Sequence, residues 1–477
     1  MTTFLTAFFA RPLRYGLLTM LIGLASCQSV LEPKSVDLLA DDLVLNAAND
    51  VPSVRIGLYS ALRSTAAPTI IAGDFTADYI QHNGTFNDYR ELATKQITAA
   101  NGVVNTHWLF LFKAIYVANF ILERLPQVPG VTDATRKQVL AEARFVRGWA
   151  NFIGTYTYGD FPLVTTTDPV ANRTVGRTPR AQVLASVLAD YQAALADLPT
   201  VAAGSTNATL NSTYANKLTS QAALARYYLY QKNWAQAEAQ ATAVINGGIY
   251  TLEPNYADLV TRKFTREAIL EVGYILSDDP GTNGGPDPAT GQGDIGLNNL
   301  FVGRREVIPS NQVVLQLTST EAGTRSAKIS FNTQNLRGSD NGWTVRRYGT
   351  ASENNNNITL VRLAELYLIR AEARAQQGKL TGTSGAVADL NVLRTRAGAP
   401  AVTVSAQADV LGAVERERVL ELAFEGQRWY DLVRTGRAQA VLSAFSPNWN
   451  SRYELWPIPQ NEIQQNPALR GQQNPGY

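Results

Sequence analysis

Apolar residues recur at helical spacing along most of this chain, and the pattern predicts a mainly α protein. Segments with this rhythm cover Val103 to Leu125, Pro179 to Leu198, Gly385 to Ala397 and Val410 to Phe424. Another long helix is expected to run from Leu360 and to end at Gly378. The tetrapeptide AEAR occurs at 141–144 and again at 371–374, each time inside a long amphipathic segment. Such recurrence suggests a scaffold of similar helical units.

The stretch from Asn216 to Gly247 predicts one such unit, a pair of consecutive helices. The polar residues Lys232 and Asn233 separate two apolar faces. These faces consist of Leu218, Ala222, Ala225 and Leu229, and of Trp234, Ala237, Ala241 and Val244. Small alanines permit close approach of antiparallel helices, and the two glycines that follow supply a C-terminal cap. The unit resembles a tetratricopeptide-type hairpin, and we expect about four such pairs spread along the chain.

A contrasting insertion interrupts the helices. Ser277 to Gly296 is so rich in Gly, Pro and Asp that it is expected to be loop. Strand-like segments follow at Glu306 to Leu317 and Trp343 to Tyr348. Irregular insertions on a rigid scaffold are places where binding chemistry is expected.

The N-terminus has the plan of a secretory signal. Arg11 and Arg14 precede an apolar run from Tyr15 to Leu24, and the small residues Ala25 and Ser26 end it. The run is about half the ~20 residues that a membrane-spanning helix needs. The next residue, Cys27, is the only cysteine in the chain. Leu24 to Cys27 resembles a bacterial lipobox, so Cys27 is expected to carry lipid and to begin the mature protein, with an incidental cysteine as the alternative.

Composition excludes several classes of function. Lys and Arg number 42 against 40 Asp and Glu, a formal net charge of +2, and no long basic run suggests nucleic-acid binding. Only two histidines, His82 and His107, leave little room for a metal site, and no metal or cofactor is expected. Four of the seven tryptophans lie in helical segments with apolar neighbours and are predicted to be core: Trp108, Trp149, Trp234 and Trp429.

Motifs for catalysis are weak. Gly291-x-Gly293-x-x-Gly296 matches a dinucleotide fingerprint, but it lacks the preceding strand and following helix that phosphate binding requires. Three acids, Glu417, Glu421 and Glu425, follow i, i+4, i+8 spacing on one predicted helix, among Arg416, Arg418 and Arg428. Carboxylates arranged in this way are expected to form structural ion pairs rather than a general acid and base.

Four segments resemble the SusD/RagB family of outer-membrane nutrient-binding lipoproteins. They are AEARFVRGWANFIGTYTYGDFPLV (Ala141–Val164), ITLVRLAELYLIRAEARAQQG (Ile358–Gly378), ERERVLELAFEGQRWYDLVRTG (Glu415–Gly436) and LWPIPQNEIQQNPALRGQQNPGY (Leu455–Tyr477). Together with the lipobox, the likeness covers nearly all of the mature chain. It implies a signal peptide over 1–26, a lipidated N-terminus and tether over 27–40, and one SusD-like domain over 41–477 with a loop-rich insertion at about 277–357.

The resemblance also implies how the protein works. Such proteins are tetratricopeptide-like helical scaffolds with an irregular face, tethered by lipid to the outer membrane. They cover a SusC-like, TonB-dependent transporter and pass it glycans or, in some members, peptides, and they are not enzymes. In this chain Glu425-Gly426, Arg428 and Asp431 would fix helix ends, and Trp456 to Pro459 would form an extended tail across the helices.

By family analogy, the ligand site would combine the loop after the first mature helix with the central insertion. The first loop is GDFTADYIQHNGTFNDY, residues 73–89, and its candidates are Asp74, Asp78, Tyr79, His82, Phe86 and Tyr89. Aromatic platforms beside polar groups suit sugars, which present CH-rich faces and hydroxyl edges. The alternating pattern predicts a surface loop, but the aromatics could instead fix the segment to the core.

The insertion supplies the second candidates, Phe301, Arg304, Arg305, Asn341 and Trp343. Trp343 lies between Gly342 and Thr344 in a polar segment, which favours exposure, although a tryptophan is more often packed. A glycan ligand is the leading hypothesis and a peptide the rival. An extracytoplasmic glycosidase using Asp74 and Asp78, or an interaction scaffold without a small ligand, are further alternatives.

Overall fold

A computed structural model of the chain describes residues 44–201, 208–273, 296–348 and 357–477. The predicted signal peptide, Cys27, the tether and most of the loop from Ser277 to Gly296 lie outside these ranges. Residues 45–477 group into one unit. None of the helices in the described ranges is long and apolar enough to cross a membrane.

Eighteen α-helices make up most of the described structure, as the apolar pattern predicts. The first ten are α1 (Val51–Ser64), α2 (Ala66–Phe75), α3 (Asn87–Thr94), α4 (Gly102–Arg124), α5 (Asp133–Tyr158), α6 (Pro169–Asn172), α7 (Arg180–Asp197), α8 (Ala208–Thr213), α9 (Lys217–Tyr230) and α10 (Trp234–Asn246). The others are α11 (Asp258–Thr261), α12 (Asn311–Leu317), α13 (Leu363–Gln376), α14 (Ala386–Ala397), α15 (Gln407–Leu422), α16 (Arg428–Arg434), α17 (Ala438–Phe445) and α18 (Gln460–Gln465).

The long helices pack against their neighbours in the chain. α4 contacts α5, α5 contacts α7, and α9 contacts α10. α10 in turn contacts α13, which packs on α14 and α15. Alanines and leucines fill the last of these interfaces, among them Ala371 and Leu390. Close helix approach therefore builds the predicted paired scaffold.

The pair formed by α9 and α10 has the predicted boundaries. The Asn216 side chain accepts hydrogen bonds from the first turn of α9, and Asn233 does the same for α10. Gly248 has φ +68°, a left-handed conformation that ends the second helix without steric cost. Trp234 is only half-buried, contrary to prediction, because it is the first residue of α10; Trp108, Trp149 and Trp429 are buried as predicted.

Three small antiparallel sheets accompany the helices in the described chain. β1 (Ile80–His82) pairs with β3 (Val307–Pro309), and β2 (Ala268–Val272) pairs with β6 (Ile358–Arg362). β4 (Ile329–Phe331) pairs with β5 (Trp343–Val345), with Phe331 opposite Trp343. The pairing of β1 with β3 joins the insertion to the segment between α2 and α3, whereas β4 and β5 pair within the insertion.

Several boundaries differ from the prediction, and two of the differences change the type of element. The helix expected from Leu360 begins three residues later, at Leu363, because the β-branched segment Ile358–Val361 pairs with β2 instead. The strand expected over Glu306 to Leu317 ends at Pro309. There the Ser310 hydroxyl accepts a hydrogen bond from Val313 N at 3.2 Å and caps α12.

The acids predicted to form ion pairs do so, but with distant arginines. Glu417 accepts a hydrogen bond from Arg394 at 3.0 Å, and Glu421 accepts one from Arg362 at 2.6 Å. Glu425 lies beyond the end of α15 and also binds Arg362, at 2.7 Å. All three carboxylates are therefore used in holding segments together.

The arginines near those acids in sequence have other partners. Arg418 Nε donates to Asp431 at 2.7 Å, and Arg428 Nε donates to Asp78 at 2.8 Å. The arginines that lie near the three acids in sequence are therefore not the partners of these carboxylates in the contacts given above. Contacts between segments far apart in sequence decided the pairing.

The C-terminal tail crosses the helices, as predicted. Trp456 is fully buried, and its Nε1 donates to Thr76 Oγ1 at 3.0 Å, while its backbone N donates to Thr157 O at 2.8 Å. Asn474 Nδ2 donates to Tyr158 O at 2.9 Å. The last residues of the chain thus complete the core beside α2 and α5.

Candidate ligand-binding surface

Residues 73–89 do not form the predicted surface loop. α2 ends within this segment, β1 covers Ile80–His82, and α3 begins at Asn87. Four of its candidate side chains are buried: Asp74, Asp78, Tyr79 and Tyr89. Because these side chains face the core, they do not present a surface to a ligand.

Asp74 joins α2 to the turn before α16. Its Oδ2 accepts a hydrogen bond from Gly426 N at 2.7 Å. A Cβ on the neighbouring Gly73 would lie 1.9 Å from Gly426 O, so the two backbones need glycine there. Burial raises the pKa of Asp74 well above its usual value.

We expect Asp74→Asn to stabilise the protein at neutral pH by about 1 kcal/mol or more. An asparagine keeps an oxygen for Gly426 N–H and removes a carboxylate that is costly to ionise. Because the folded pKa lies above the unfolded value of 3.8, this group reduces stability as pH rises through that range. Urea unfolding of both proteins across pH should show the difference vanishing below about pH 3. Asp78→Asn is the control and should instead destabilise, and a loss of stability at pH 7 in Asp74→Asn would contradict this account.

Asp78 and Tyr79 share Arg428. The guanidinium makes a bidentate ion pair with Asp78, at 2.8 and 3.0 Å, and lies 5.7 Å from the centre of the Tyr79 ring. Tyr79 also packs on Phe424, at 5.8 Å between ring centres. These contacts tie the start of β1 to α16, which is a structural role.

Phe301 and Tyr89 belong to an aromatic core. Phe75 lies 6.0 Å from Tyr89 and 5.7 Å from Phe301, and Phe301 stacks on Tyr348 at 6.2 Å. Phe301 is fully buried. The sequence left open that the aromatics of residues 73–89 fix that segment to the core, and this holds for Tyr79 and Tyr89. Phe301 has the same structural role in the insertion.

The remaining candidates stay at the surface: His82, Phe86, Arg304, Asn341 and Trp343 are exposed or half-buried. His82 Nε2 lies 3.2 Å from Phe86 O, so this nitrogen is the donor. Burial lowers the pKa of His82, which keeps its ring neutral at pH 7. His82 therefore supports the turn that carries Phe86.

Phe86 and Arg304 form one part of an aromatic surface. The exposed Arg304 guanidinium lies 5.3 Å from the centre of the half-buried Phe86 ring, a cation–π contact. The buried Glu306 carboxylate accepts backbone hydrogen bonds from Thr85 at 2.8 Å and from Phe86 at 3.0 Å. The turn below the ring is thus fixed.

Trp343 and Phe331 form the other part. Their ring centres are 5.2 Å apart with a 51° tilt, and 48% of Phe331 is exposed. Leu336, in the connection between β4 and β5, is 51% exposed. Asn341 is not free for a ligand, since its Nδ2 donates to Pro309 O at 2.8 Å and its Oδ1 accepts from Trp343 N at 3.1 Å.

We call Phe86, Arg304, Phe331, Leu336 and Trp343 the aromatic face. Sequence reasoning missed Phe331 and Leu336. The glycines at 338 and 342 were the available sequence signal, since both take positive φ values, +59° and +79°, in the connection between β4 and β5. Arg305, the remaining sequence candidate, lies between the two parts of the aromatic face and binds Asp340.

Two carboxylates beside the aromatic face have partners within the protein. Glu306 accepts hydrogen bonds from backbone N–H groups, and Asp340 accepts them from Arg305. Within the described residues, no group of three or more His, Cys, Asp or Glu could hold a metal ion. His107 is buried, which lowers its pKa to about 3, and its Nδ1 lies 3.1 Å from Tyr158 Oη.

Comparison with known proteins identifies the family. Residues 333–477 match the model of the SusD family, and residues 40–229 match a model described as starch-binding and associating with the outer membrane. The chain belongs to the SusD/RagB family. The resemblance seen in the sequence is thereby confirmed.

Relatives match over nearly their whole length. The SusD-like proteins P25 and P38 of Formosa agariphila are 24% and 25% identical, and the matches cover 93% and 95% of this chain and 95% and 96% of theirs. A laminarin-binding SusD-like protein has a similar structure, with a TM-score of 0.76, 24% identity, and coverage of 91% of this chain and 100% of the other. Surface glycan-binding protein A from Bacteroides fluxus is also similar in structure, with a TM-score of 0.73 and 21% identity. The match covers 91% of this chain and 100% of the other. These structural matches establish the SusD fold.

Proposed function

We propose that this protein is a cell-surface lipoprotein of the outer membrane that captures an oligosaccharide and passes it to a SusC-like, TonB-dependent transporter. Capture takes place at the aromatic face, and the protein releases its ligand unchanged. Lipid on Cys27 holds it at the membrane, with the residues up to 40 as a tether. The observation that carries the proposal is the surface pair of the exposed Phe331 and the half-buried Trp343, together with the contact of Phe86 with Arg304.

The chemistry of the aromatic face suits a sugar. Pyranose rings present CH groups that pack on aromatic rings, and their hydroxyls need hydrogen-bond donors and acceptors. The Arg304 guanidinium has no carboxylate partner among the described residues, so its N–H groups are available to hydroxyls. Micromolar to millimolar binding needs only about −8 to −4 kcal/mol, which one or two stacked rings and a few hydrogen bonds supply.

Isothermal titration calorimetry of the chain from Ser29 onward tests the proposal. The panel includes laminarin oligosaccharides, because a structurally similar protein is named for laminarin binding, together with other neutral and acidic oligosaccharides and with peptides. Saturable sugar binding without new products supports capture. Cleavage products would establish an enzyme, and binding of peptides alone would establish the rival member of the family.

We expect Trp343→Ala to weaken binding of the best oligosaccharide by roughly 5- to 30-fold, since an aromatic platform at the surface contributes about 1–2 kcal/mol. The melting temperature should change little, because the ring is half-buried. Calorimetry measures the affinity and circular dichroism the stability. Trp449→Ala is the matched control, as this half-buried tryptophan donates to Gln439 Oε1 at 2.9 Å, outside the aromatic face. Equal affinities of Trp343→Ala and the unmodified protein would place the site elsewhere.

A further inference from the structure

One ion pair lies between the two parts of the aromatic face. Arg305 Nη2 donates to Asp340 Oδ1 at 2.7 Å, and Nε donates to Oδ2 at 2.9 Å. Only 14% and 8% of these side chains are exposed. A bidentate, largely buried guanidinium–carboxylate pair is strong and directional. It is much better defined than an exposed ion pair.

The same two residues connect three segments of the chain. Asp340 accepts from Asn83 Nδ2 at 3.2 Å and from Gly342 N at 2.8 Å. Arg305 donates to Trp343 O at 3.0 Å, and its own carbonyl accepts from Asn83 Nδ2 at 3.0 Å. The turn after β1, the residues before β3 and the start of β5 therefore meet at this pair.

The backbone at Arg305 shows that these contacts impose a conformation. Its φ is +50°, in the left-handed region, which is unfavourable for a residue with a side chain. Surrounding contacts must hold such a conformation. Arg305 directly follows Arg304, so the backbone conformation at Arg305 affects the direction in which the Arg304 side chain projects.

We propose that Arg305 and Asp340 are positioning residues that hold the Phe86–Arg304 and Phe331–Trp343 surfaces in fixed relation before a ligand arrives. The inference rests on the proposed function, because it assigns the ion pair a role in oligosaccharide capture. Binding to a fixed surface avoids the free energy of ordering it. The pair therefore favours ligands long enough to contact both surfaces over ligands that contact one.

The first test measures positioning without any ligand. Protein labelled with 5-fluorotryptophan gives a ¹⁹F resonance for Trp343, assigned by its loss in Trp343→Phe. Asp340→Asn keeps the size of the side chain but removes its charge, and we expect the Trp343 resonance to shift and broaden while those of the buried Trp108 and Trp429 stay unchanged. Asp258→Asn, which makes the same chemical change in an ion pair with the exposed Arg262, should alter none of them.

A second variant protects the test against misfolding. Arg305→Lys keeps the positive charge but cannot form the bidentate pair, and it should broaden the Trp343 resonance as Asp340→Asn does. An unchanged Trp343 resonance in both variants would overturn the inference. So would equal broadening of the core tryptophans, since that would mean general loosening of the fold.

The second test compares ligand lengths, with laminarihexaose and laminaribiose as probes. Asp340→Asn should weaken hexaose binding about tenfold and biose binding by less than about twofold, because only the longer sugar contacts both surfaces. Equal losses for the two sugars would refute the positioning role in binding. If the unmodified protein binds no glycan on the full panel, the proposed function fails, whereas the fluorine spectra still decide whether the pair positions Trp343.

Discussion

Arg362→Met should reduce the free energy of unfolding by about 4 kcal/mol or more. The Arg362 side chain is 2% exposed, and it donates to Glu267 at 2.7 Å, to Glu421 at 2.6 Å and to Glu425 at 2.7 Å. Methionine fills a similar volume but leaves three buried carboxylates with less positive charge around them. Chemical unfolding followed by circular dichroism measures the loss.

The pH dependence of this loss identifies its cause. Burial alone would raise the pKa of Glu421, but the charges of Arg396 and Arg362, with other cations, hold it well below its usual value. In the unmodified protein this group therefore loses stabilising free energy as pH falls. Without Arg362 the pKa rises, so the difference between the two proteins should narrow at acidic pH.

A matched control separates this effect from loss of any arginine. Arg262 makes an i, i+4 ion pair with Asp258 at 3.2 Å, and its side chain is 67% exposed. Arg262→Met should change stability by less than about 0.5 kcal/mol. A similar small change in Arg362→Met would show that the buried network does not stabilise the fold.

Lys95→Met should cost about 3 kcal/mol, because it leaves buried carbonyl groups without a donor. Lys95 is fully buried, and its ammonium is surrounded by backbone oxygens. Nζ donates to Ala77 O at 2.7 Å and Ala93 O at 3.1 Å, and Phe75 O and Leu92 O are each 3.2 Å away. Lys95 thus joins the C-terminal end of α2 to that of α3, and thermal and urea unfolding measure its contribution.

The difference in the free energy of unfolding between Lys95→Met and the unmodified protein should also depend on pH. Burial lowers the pKa of Lys95 to about 7 from an ordinary 10.5, with the Asp78 charge opposing the change. The unfolded chain then binds more protons between these values, so this group adds stability as pH rises from 7 towards 10.5. Lys137→Met on the exposed side of α5 is the control and should be nearly neutral. A Lys95→Met difference that stays constant over this range would contradict the assigned pKa.

The helical scaffold could be predicted because each long helix carries its own periodic signal. α4, α7 and α14 begin and end within one or two residues of their expected positions. β6 was not predicted, because Leu360 fits the helical spacing of apolar residues in α13 by coincidence. Only the pairing of this segment with β2 shows that it is a strand and not a helix. Local sequence does not contain that pairing.

The exposure of the candidate site residues could be predicted only in part. Phe86, Arg304 and Trp343 lie at the surface, where a ligand could reach them. Asp74 and Asp78 are buried because their partners, Gly426 and Arg428, come from about 350 residues further along the chain. An alternation of polar and aromatic residues does not reveal partners so far along the chain. The sequence pattern is therefore the same whether the polar residues are buried against such partners or exposed in a loop.

The C-terminal tail has a consequence for how the molecule folds. The hydrogen bond from Trp456 to Thr76 joins residues 380 positions apart, and Asn474 binds Tyr158 across 316 positions. Contacts with such separations form slowly, because a very long loop must close before they contribute. A chain growing from its N-terminus cannot complete the core around α2 and α5 until nearly all of it has been made. If these tail contacts form last, the nascent chain stays unfolded around α2 and α5 until synthesis is nearly complete. An unfolded chain can be secreted, which suits a protein proposed to function outside the cytoplasm.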